Sequence, residues 1–395
     1  ETAGASVPFT STSTATHTTI SGYQRSVQRQ GDTGGHVYTT ANMTHTFTQA
    51  GLCTVTLLVN TAAGVSDTET ALITVQSEVT TGMDFMVVPA AFALSGSTGT
   101  QTVTAAALGT KIPKGVHLRV VGATVSGTAA AGALWSEGAA SETAQWVHTR
   151  NSADGAATTA AKRRYATDAI AMSIDTANGA VTGRAAFVRF VAGGMEINIS
   201  DAFPAGYLAE AVFYAGDKCE FWAGTVPIGS LNQDTVVNTG IAQAAVYCLS
   251  TWTADEDVPD ADADFSRGWA IPPSDEDGEP TQYHFRNEDQ DSAATSAVFG
   301  RWQSRIASAN EAPSGYCTIE ARDFHVGGFS LRPVTGSMGG RVASLFAFGT
   351  GGYRVSLQAV TLATTATSVH PIDFEAQTVM ALTGTFTGDA FTSLT

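Results

Sequence analysis

FVAGGMEINI, residues 190–199, returns as FHVGGFSLRP at 324–333, an interval of 324 − 190 = 134 residues. In that register Phe190, Gly193, Gly194, Gly206 and Ala209 fall on Phe324, Gly327, Gly328, Gly340 and Ala343. Met195, Ile197, Leu208 and Val212 fall on Phe329, Leu331, Val342 and Phe346, with no gap. A Gly-Gly pair followed by alternation predicts a tight turn entering a half-buried strand, with Met195, Ile197 and Ile199 on one face. Solenoid units run about 20–50 residues and cannot fold alone. The echo therefore marks tandem domains, each of roughly eight short strands in a β-sandwich or jelly roll.

Working outward, QTVTAAALGTKIPKGVHLRVV (Gln101 to Val121) corresponds more loosely to QDTVVNTGIAQAAVYCLSTW (Gln233 to Trp252). QWVHTRN (from Gln145) corresponds to QYHFRN (from Gln282), and ATSVHPIDFEAQTVMALTG (from Ala366) opens the same theme a third time. The expected boundaries are 83–218 for the first repeat, 219–352 for the second and 353–395 for a partial third. The last segment is either the start of a further unit or strands that complete a neighbouring one. Gly, Thr and Val are abundant, and few windows place apolar residues at helical spacing, so the predicted class is all-β throughout.

Ahead of the repeats, MTHTFTQAGLCTVTLLV (Met43 to Val59) alternates on both sides of Gln49-Ala50-Gly51, which predicts a hairpin; NTAAGVSDTETALITV predicts a second, ending at Val75. Residues 20–75 resemble a PKD-type domain, an immunoglobulin-like sandwich. The matching positions are His45-Thr46-Phe47, Ala50-Gly51, the run Cys53 to Leu57 and Asn60-Thr61-Ala62-Ala63-Gly64. The family's aromatic WDFGDG is reduced here to Gly31-Asp32-Thr33-Gly34, and Leu52-Cys53 stands where a tyrosine is common. The resemblance implies an Ig-like fold over 1–78 and carries no activity, since such modules serve as spacers or weak binders.

Charge narrows the partners. The chain has 20 Lys and Arg against 36 Asp and Glu, a net charge of −16, which repels nucleic acid. No apolar run reaches the ~18–20 residues of a membrane-spanning helix. The chain opens on Glu1 without a basic-then-apolar segment, which reads as a processed or excerpted chain. Only 14% of residues are charged, so neutral hydroxyl and amide groups must cover the surface, as in extracellular β-proteins.

Several residues bear chemistry. TADEDVPDADADFSRGW (Thr253 to Trp269) sets Asp260, Asp262 and Asp264 at alternate positions, the spacing of a calcium loop, although Phe265 and Ile271 stand where an EF-hand has Gly and Glu. A solvated acidic loop is the plainer reading, paired catalytic carboxylates the third. Calcium is the one cofactor these residues suggest. The eight histidines form no HxH or HExxH cluster and read as structural. Cys53, Cys219, Cys248 and Cys317 form no CxxC pair and read as small buried hydrophobes, with a bridge among the last three as the alternative. AKRRYATD (from Ala161) is the one basic run, an exposed turn or a grip for a carboxylate or phosphate. The six tryptophans read as core, with sugar-stacking platforms as the alternative.

Residues 85–395 resemble a duplicated domain of tailed-bacteriophage virion proteins, tail and appendage components especially. The resemblance rests on the opening TQTVTAAALGTKIPKGVHLRVVGAT and the close VRFVAGGMEINISDAFPAGYLAEAVFYAG. It implies a non-enzymatic virion structural protein (tail fibre, spike or capsid decoration) that forms homo-oligomers, contacts other virion proteins and adheres to host-surface glycan. A secreted or cell-surface adhesin or filament subunit is the alternative. A glycan-degrading enzyme using the acidic residues of 255–291 comes third.

Overall fold

The computed structural model describes residues 6–29, 35–47, 51–75, 85–123, 134–153, 160–204, 206–250, 255–261, 265–273, 278–288, 297–311, 315–325, 327–336, 341–351, 355 and 392–394. Most of the expected third copy lies outside them. The described elements are strands, apart from one short 3₁₀ turn at Ala106–Leu108. The chain divides into two compact units, Glu1–Gly82 and Met83–Thr395.

The first unit holds β1 (Ser6–Phe9), β2 (Ile20–Arg29), β3 (His36–Tyr38), β4 (Met43–Thr46), β5 (Gly51–Thr61) and β6 (Ser66–Val75). β1 pairs with β4, and the other four form a sheet in the order β3-β2-β5-β6. The expected hairpin between β4 and β5 does not form; the two strands lie in different sheets. Met43 and Phe47 instead meet Val27, Cys53 and Val55 in one small core. Period-two alternation marks an inward face equally well for strands that pair and for strands that face one another, and here burial across two sheets decides. The second hairpin, β5 to β6, is in place through ten consecutive residue pairs.

The second unit begins with β7 (Met86–Ala93), β8 (Gly99–Thr104), β9 (Pro113–Val121), β10 (Trp135–Ser141), β11 (Gln145–Ser152), β12 (Ala161–Ala166), β13 (Ala171–Ile174), β14 (Val181–Val191), β15 (Gly194–Asp201) and β16 (Leu208–Ala215). It continues with β17 (Glu220–Pro227), β18 (Thr235–Asn238), β19 (Ala245–Ser250), β20 (Asp260–Ala261), β21 (Phe265–Ile271), β22 (Thr281–Glu288), β23 (Ala297–Gln303), β24 (Ala307–Glu311), β25 (Gly315–His325), β26 (Gly328–Thr335), β27 (Val342–Gly349) and β28 (Thr392–Leu394). Apart from β20 and β28 the two halves repeat strand for strand. A large sheet runs β12-β11-β10-β9-β16-β7 in one and β23-β22-β21-β19-β27-β17 in the other. It faces a four-stranded sheet, β13-β14-β15-β8 or β24-β25-β26-β18.

The same devices close both sandwiches. Gly193 and Gly327 turn at φ of 78° and 93°, and a Cβ on Gly194 or Gly328 would stand 1.9 or 2.5 Å from the carbonyl oxygen of Val103 or Val237 on the adjoining strand. Both glycines of the echoed pair are thus demanded by backbone geometry. Met195, Ile197 and Ile199 are buried in the first core. Gln145 and Gln282 tie large sheet to small sheet, their Oε1 atoms accepting from the amides of Phe187 (2.7 Å) and Ala321 (2.9 Å). Ser136 and Ser266 do the same for Met172 (3.1 Å) and Ser308 (2.9 Å).

Candidate functional site

Along the large sheets, alternate residues face outward from each sandwich. Val116, Leu118 and Val120 of β9 enter the first core, and Val246 and Cys248 of β19 enter the second. Their neighbours Tyr247 and Leu249 join Trp146, Val212, Tyr214, Phe346 and Phe348 in a third cluster, in which the outer faces of the two large sheets pack on each other. Strand pairing makes Tyr247 the counterpart of His117, Arg267 of Glu137, and Phe348 of Tyr214. Tyr214 lies 5.0 Å, ring to ring, from its own counterpart Phe348, and Glu137 lies 3.8 Å from Arg267. A surface that meets its own equivalent is the mark of a two-fold interface, here within a single chain.

A charged network occupies the middle of this seam. Glu137, His117 and Tyr247 are all fully buried. Glu137 Oε1 accepts from His117 Nε2 (2.6 Å) and from the Tyr247 hydroxyl, while Oε2 accepts from Trp135 Nε1 (3.0 Å). The Arg119 and Arg267 guanidiniums stand 3.7 and 3.8 Å away, and Arg267 also lies over the Trp135 ring at 4.9 Å. Burial alone would raise the Glu137 pKa. The hydrogen bond from His117 and the two guanidiniums outweigh it and hold the carboxyl far below the usual range. Burial lowers the pKa of His117 against the pull of Glu137, and it raises that of Tyr247 well above the phenolic value, with Glu137 adding to the rise. At neutral pH the network is a carboxylate receiving neutral donors and balanced by guanidiniums. Residues so enclosed hold two sheets in register and offer no face to a solute.

Nearby, His148 Nε2 meets Ser344 Oγ at 2.6 Å, and Trp146 Nε1 donates to the Leu345 carbonyl at 2.8 Å. Both bonds cross the seam. The equivalent region of the second sandwich keeps its histidine inside, with His284 Nε2 and Ser308 Oγ at 2.8 Å. Burial drives His148 and His284 down to about 3.

The basic run and the acidic insertion of the sequence meet one another. Residues 161–166 form β12, an inner strand with Arg163 buried, in place of the exposed turn that was expected. Asp260 and Ala261 form β20, which pairs with Arg163 and Lys162 at the rim of the first large sheet. Arg163 Nη2 donates to Asp260 (2.9 Å), Arg164 Nε to Asp257 (2.9 Å), and Arg184 Nη1 to both oxygens of Asp257 (3.1 Å). Arg184 also reaches Asp168, and the Thr167 amide donates to Glu256 at 2.6 Å. The carboxylates that the basic run grips belong to its own chain. Of the calcium-loop residues, Asp260 is engaged by Arg163, while Asp262 and Asp264 lie outside the described residues. No group of three or more His, Cys, Asp or Glu suited to a metal occurs among the described residues.

All four cysteines are buried and unbridged. Burial pushes Cys219 and Cys248 up to about 12, which suits inert packing groups. Trp146, Trp222 and Trp269 pack in the cores and the seam. Sequence reading missed the seam altogether, because its members are spread a few at a time over β9, β10, β11, β16, β17, β19, β21 and β27. The one available signal was that outward positions of β9, β16, β19 and β27 carry His, Val, Tyr and Phe where a solvated face would carry polar residues. Compared with known proteins, the chain matches no family model, no curated protein and no solved structure at a significant level.

Proposed function

We propose that this chain is a non-enzymatic structural protein of a virion of the tailed-bacteriophage kind: a fibre, spike or decoration protein that forms homo-oligomers and contacts other virion proteins. The observation that carries this reading is the seam. Two sandwiches are fixed face to face by an aromatic cluster, and the side chains best suited to acid–base chemistry, Glu137, His117 and Tyr247, lie wholly inside it. The acidic insertion and the basic strand neutralise each other in the same way. Exposed strand faces carry neutral hydroxyls instead, as at Thr100, Thr102 and Thr104 of β8. Such a body transmits position, and any adhesion to host-surface glycan would come from its exterior through many weak copies.

The test is antibody labelling of purified particles from the source, with mass spectrometry of the same particles. The expected result is the chain in stoichiometric amount on the particle and gold at one repeated location. Its absence from particles together with recovery from the cell surface or medium would overturn this reading in favour of an adhesin.

A further inference from the structure

The outer strands of this molecule are blunted in different ways. β7 carries Pro89 within its pairing to β16. β12 is covered by β20, and β23 by β28. β17 packs against β9, β10 and β11 of the other sandwich and ends in Pro227. The outer strands β3, β8, β13, β18 and β24 are between three and six residues long. β6 differs from all of these. It is ten residues long, pairs with β5 without a bulge, contains no Pro, Lys or Arg, and has no second neighbour among the described strands. From Ser66 to Leu72 it is exposed, Leu72 by 67%. Long, flat, unprotected edges are templates for pairing with another chain, and proteins ordinarily break them.

The free hydrogen-bonding groups can be assigned. The Thr61 amide donates to the Val65 carbonyl, so odd-numbered residues of this hairpin bond across to β5. Accordingly the Thr68 amide is turned away from β5 and is taken up by the side chain of Asp67 at 2.9 Å. Ser66, Thr70, Leu72 and Thr74 therefore present their N–H and C=O groups to the open edge, and Thr68 its C=O, while its N–H would exchange Asp67 for the partner strand. We propose that β6 pairs antiparallel with β6 of a second copy of this chain, about a two-fold axis at Thr70, to make one continuous sheet across a homodimer. In that register Thr70 faces Thr70, Thr68 faces Leu72, Glu69 faces Ala71 and Asp67 faces Ile73. The four carboxylates never stand directly opposite one another, and the exposed Leu72 gains a threonine methyl neighbour. The register is self-complementary in hydrogen bonding, pairs threonine with threonine at the axis and keeps the carboxylates off directly opposed positions, which points to a second copy over a foreign peptide. The proposal deepens the oligomeric part of the functional reading by naming the surface.

The experiment is sedimentation of the purified full chain over a concentration series, with circular dichroism to verify the fold. Thr70 shares the outer face with Thr68 and Leu72, away from the core, so Thr70→Lys and Thr70→Glu leave the monomer intact while placing like charges opposite each other at the axis. The wild type is expected to sediment as two chains and to dissociate on dilution. Each variant alone should sediment as one chain, and an equimolar mixture of the two should recover the dimer. A wild type that stays a single chain throughout overturns the proposal, as does a dimer that both variants retain. Either failure leaves the particle-labelling result standing, because that test does not depend on which surface joins the copies.

Discussion

Glu137 receives hydrogen bonds from three strands, β9, β10 and β19, and sits between the guanidiniums of Arg119 and Arg267. Glu137→Gln keeps the volume and removes the charge. Its amide nitrogen would stand where the carboxylate now accepts, and Arg119 and Arg267 would lose the buried negative charge between them. Breaking a buried, hydrogen-bonded ion pair from one side costs about 3–5 kcal/mol, so the urea midpoint of the second unit should fall substantially. Glu196→Gln provides the contrast. Glu196 also binds an arginine, Arg189, at 2.8 Å, but that arginine side chain is 66% exposed, and loss of a surface pair costs about 1 kcal/mol or less. Equal midpoint shifts for the two variants would show that the seam does not have the energetic weight its burial implies.

Among elements, the clasp between β12 and β20 invites a different measurement. Asp257 is 41% exposed at its side chain, and Arg164 and Arg184 hold its carboxyl below the usual range against the effect of burial. With that much solvent the pairs are screened, so Asp257→Ala should move the global midpoint by no more than about 1 kcal/mol. It should instead speed amide exchange in β12 and β20 and make that exchange sensitive to salt, since the strand added at the rim has only two residue pairs of its own. Unchanged exchange in β12 would mean that the charges ornament an edge that is stable without them. This element also shows what could and could not be read in advance. Strands and turns were legible because they obey local rules: the Gly-Gly echo, the alternation of Met195, Ile197 and Ile199, and the paired glutamines at 145 and 282 that turn out to bridge the sheets. The pairing of Arg163 and Arg164 with Asp260 and Asp257 was not, although both runs stood out. Nothing local says that a charge run will find its partner about 95 residues away (260 − 163 = 97, 257 − 164 = 93), so the acidic run reads first as solvated and the basic run as an exposed turn or a grip for some carboxylate or phosphate, with nothing to match one to the other. The hairpin assigned to β4 and β5 failed for the same reason, since a face and a partner are different facts about a strand.

At the scale of the whole second unit, the buried histidines should make the protein sensitive to acid well before its carboxylates do. His148 crosses the seam to Ser344, and His284 sits inside the second sandwich with Ser308 and the Arg305 carbonyl. Both are neutral in the fold, lowered from 6.5 to about 3. An unfolded chain binds protons on them near pH 6.5, while the folded one resists down to about 3. Their stabilising contribution is therefore complete above pH 6.5 and is lost as pH falls through the interval to 3. Each contributes a slope of about 1.4 kcal/mol per pH unit within that interval. His117 adds in the same direction, and Glu137, whose pKa is depressed, contributes stability that fades only below the ordinary carboxylate range. The window between pH 6.5 and 5 thus belongs to the histidines. Denaturant midpoints measured across it should decline steadily for the wild type. The decline should flatten in a His148→Gln, His284→Gln double variant even though that variant is less stable at pH 7. A wild-type midpoint independent of pH from 6.5 to 5 would mean that these imidazoles are hydrated or protonated in the folded state, and the dry two-fold seam around His148 would have to be abandoned.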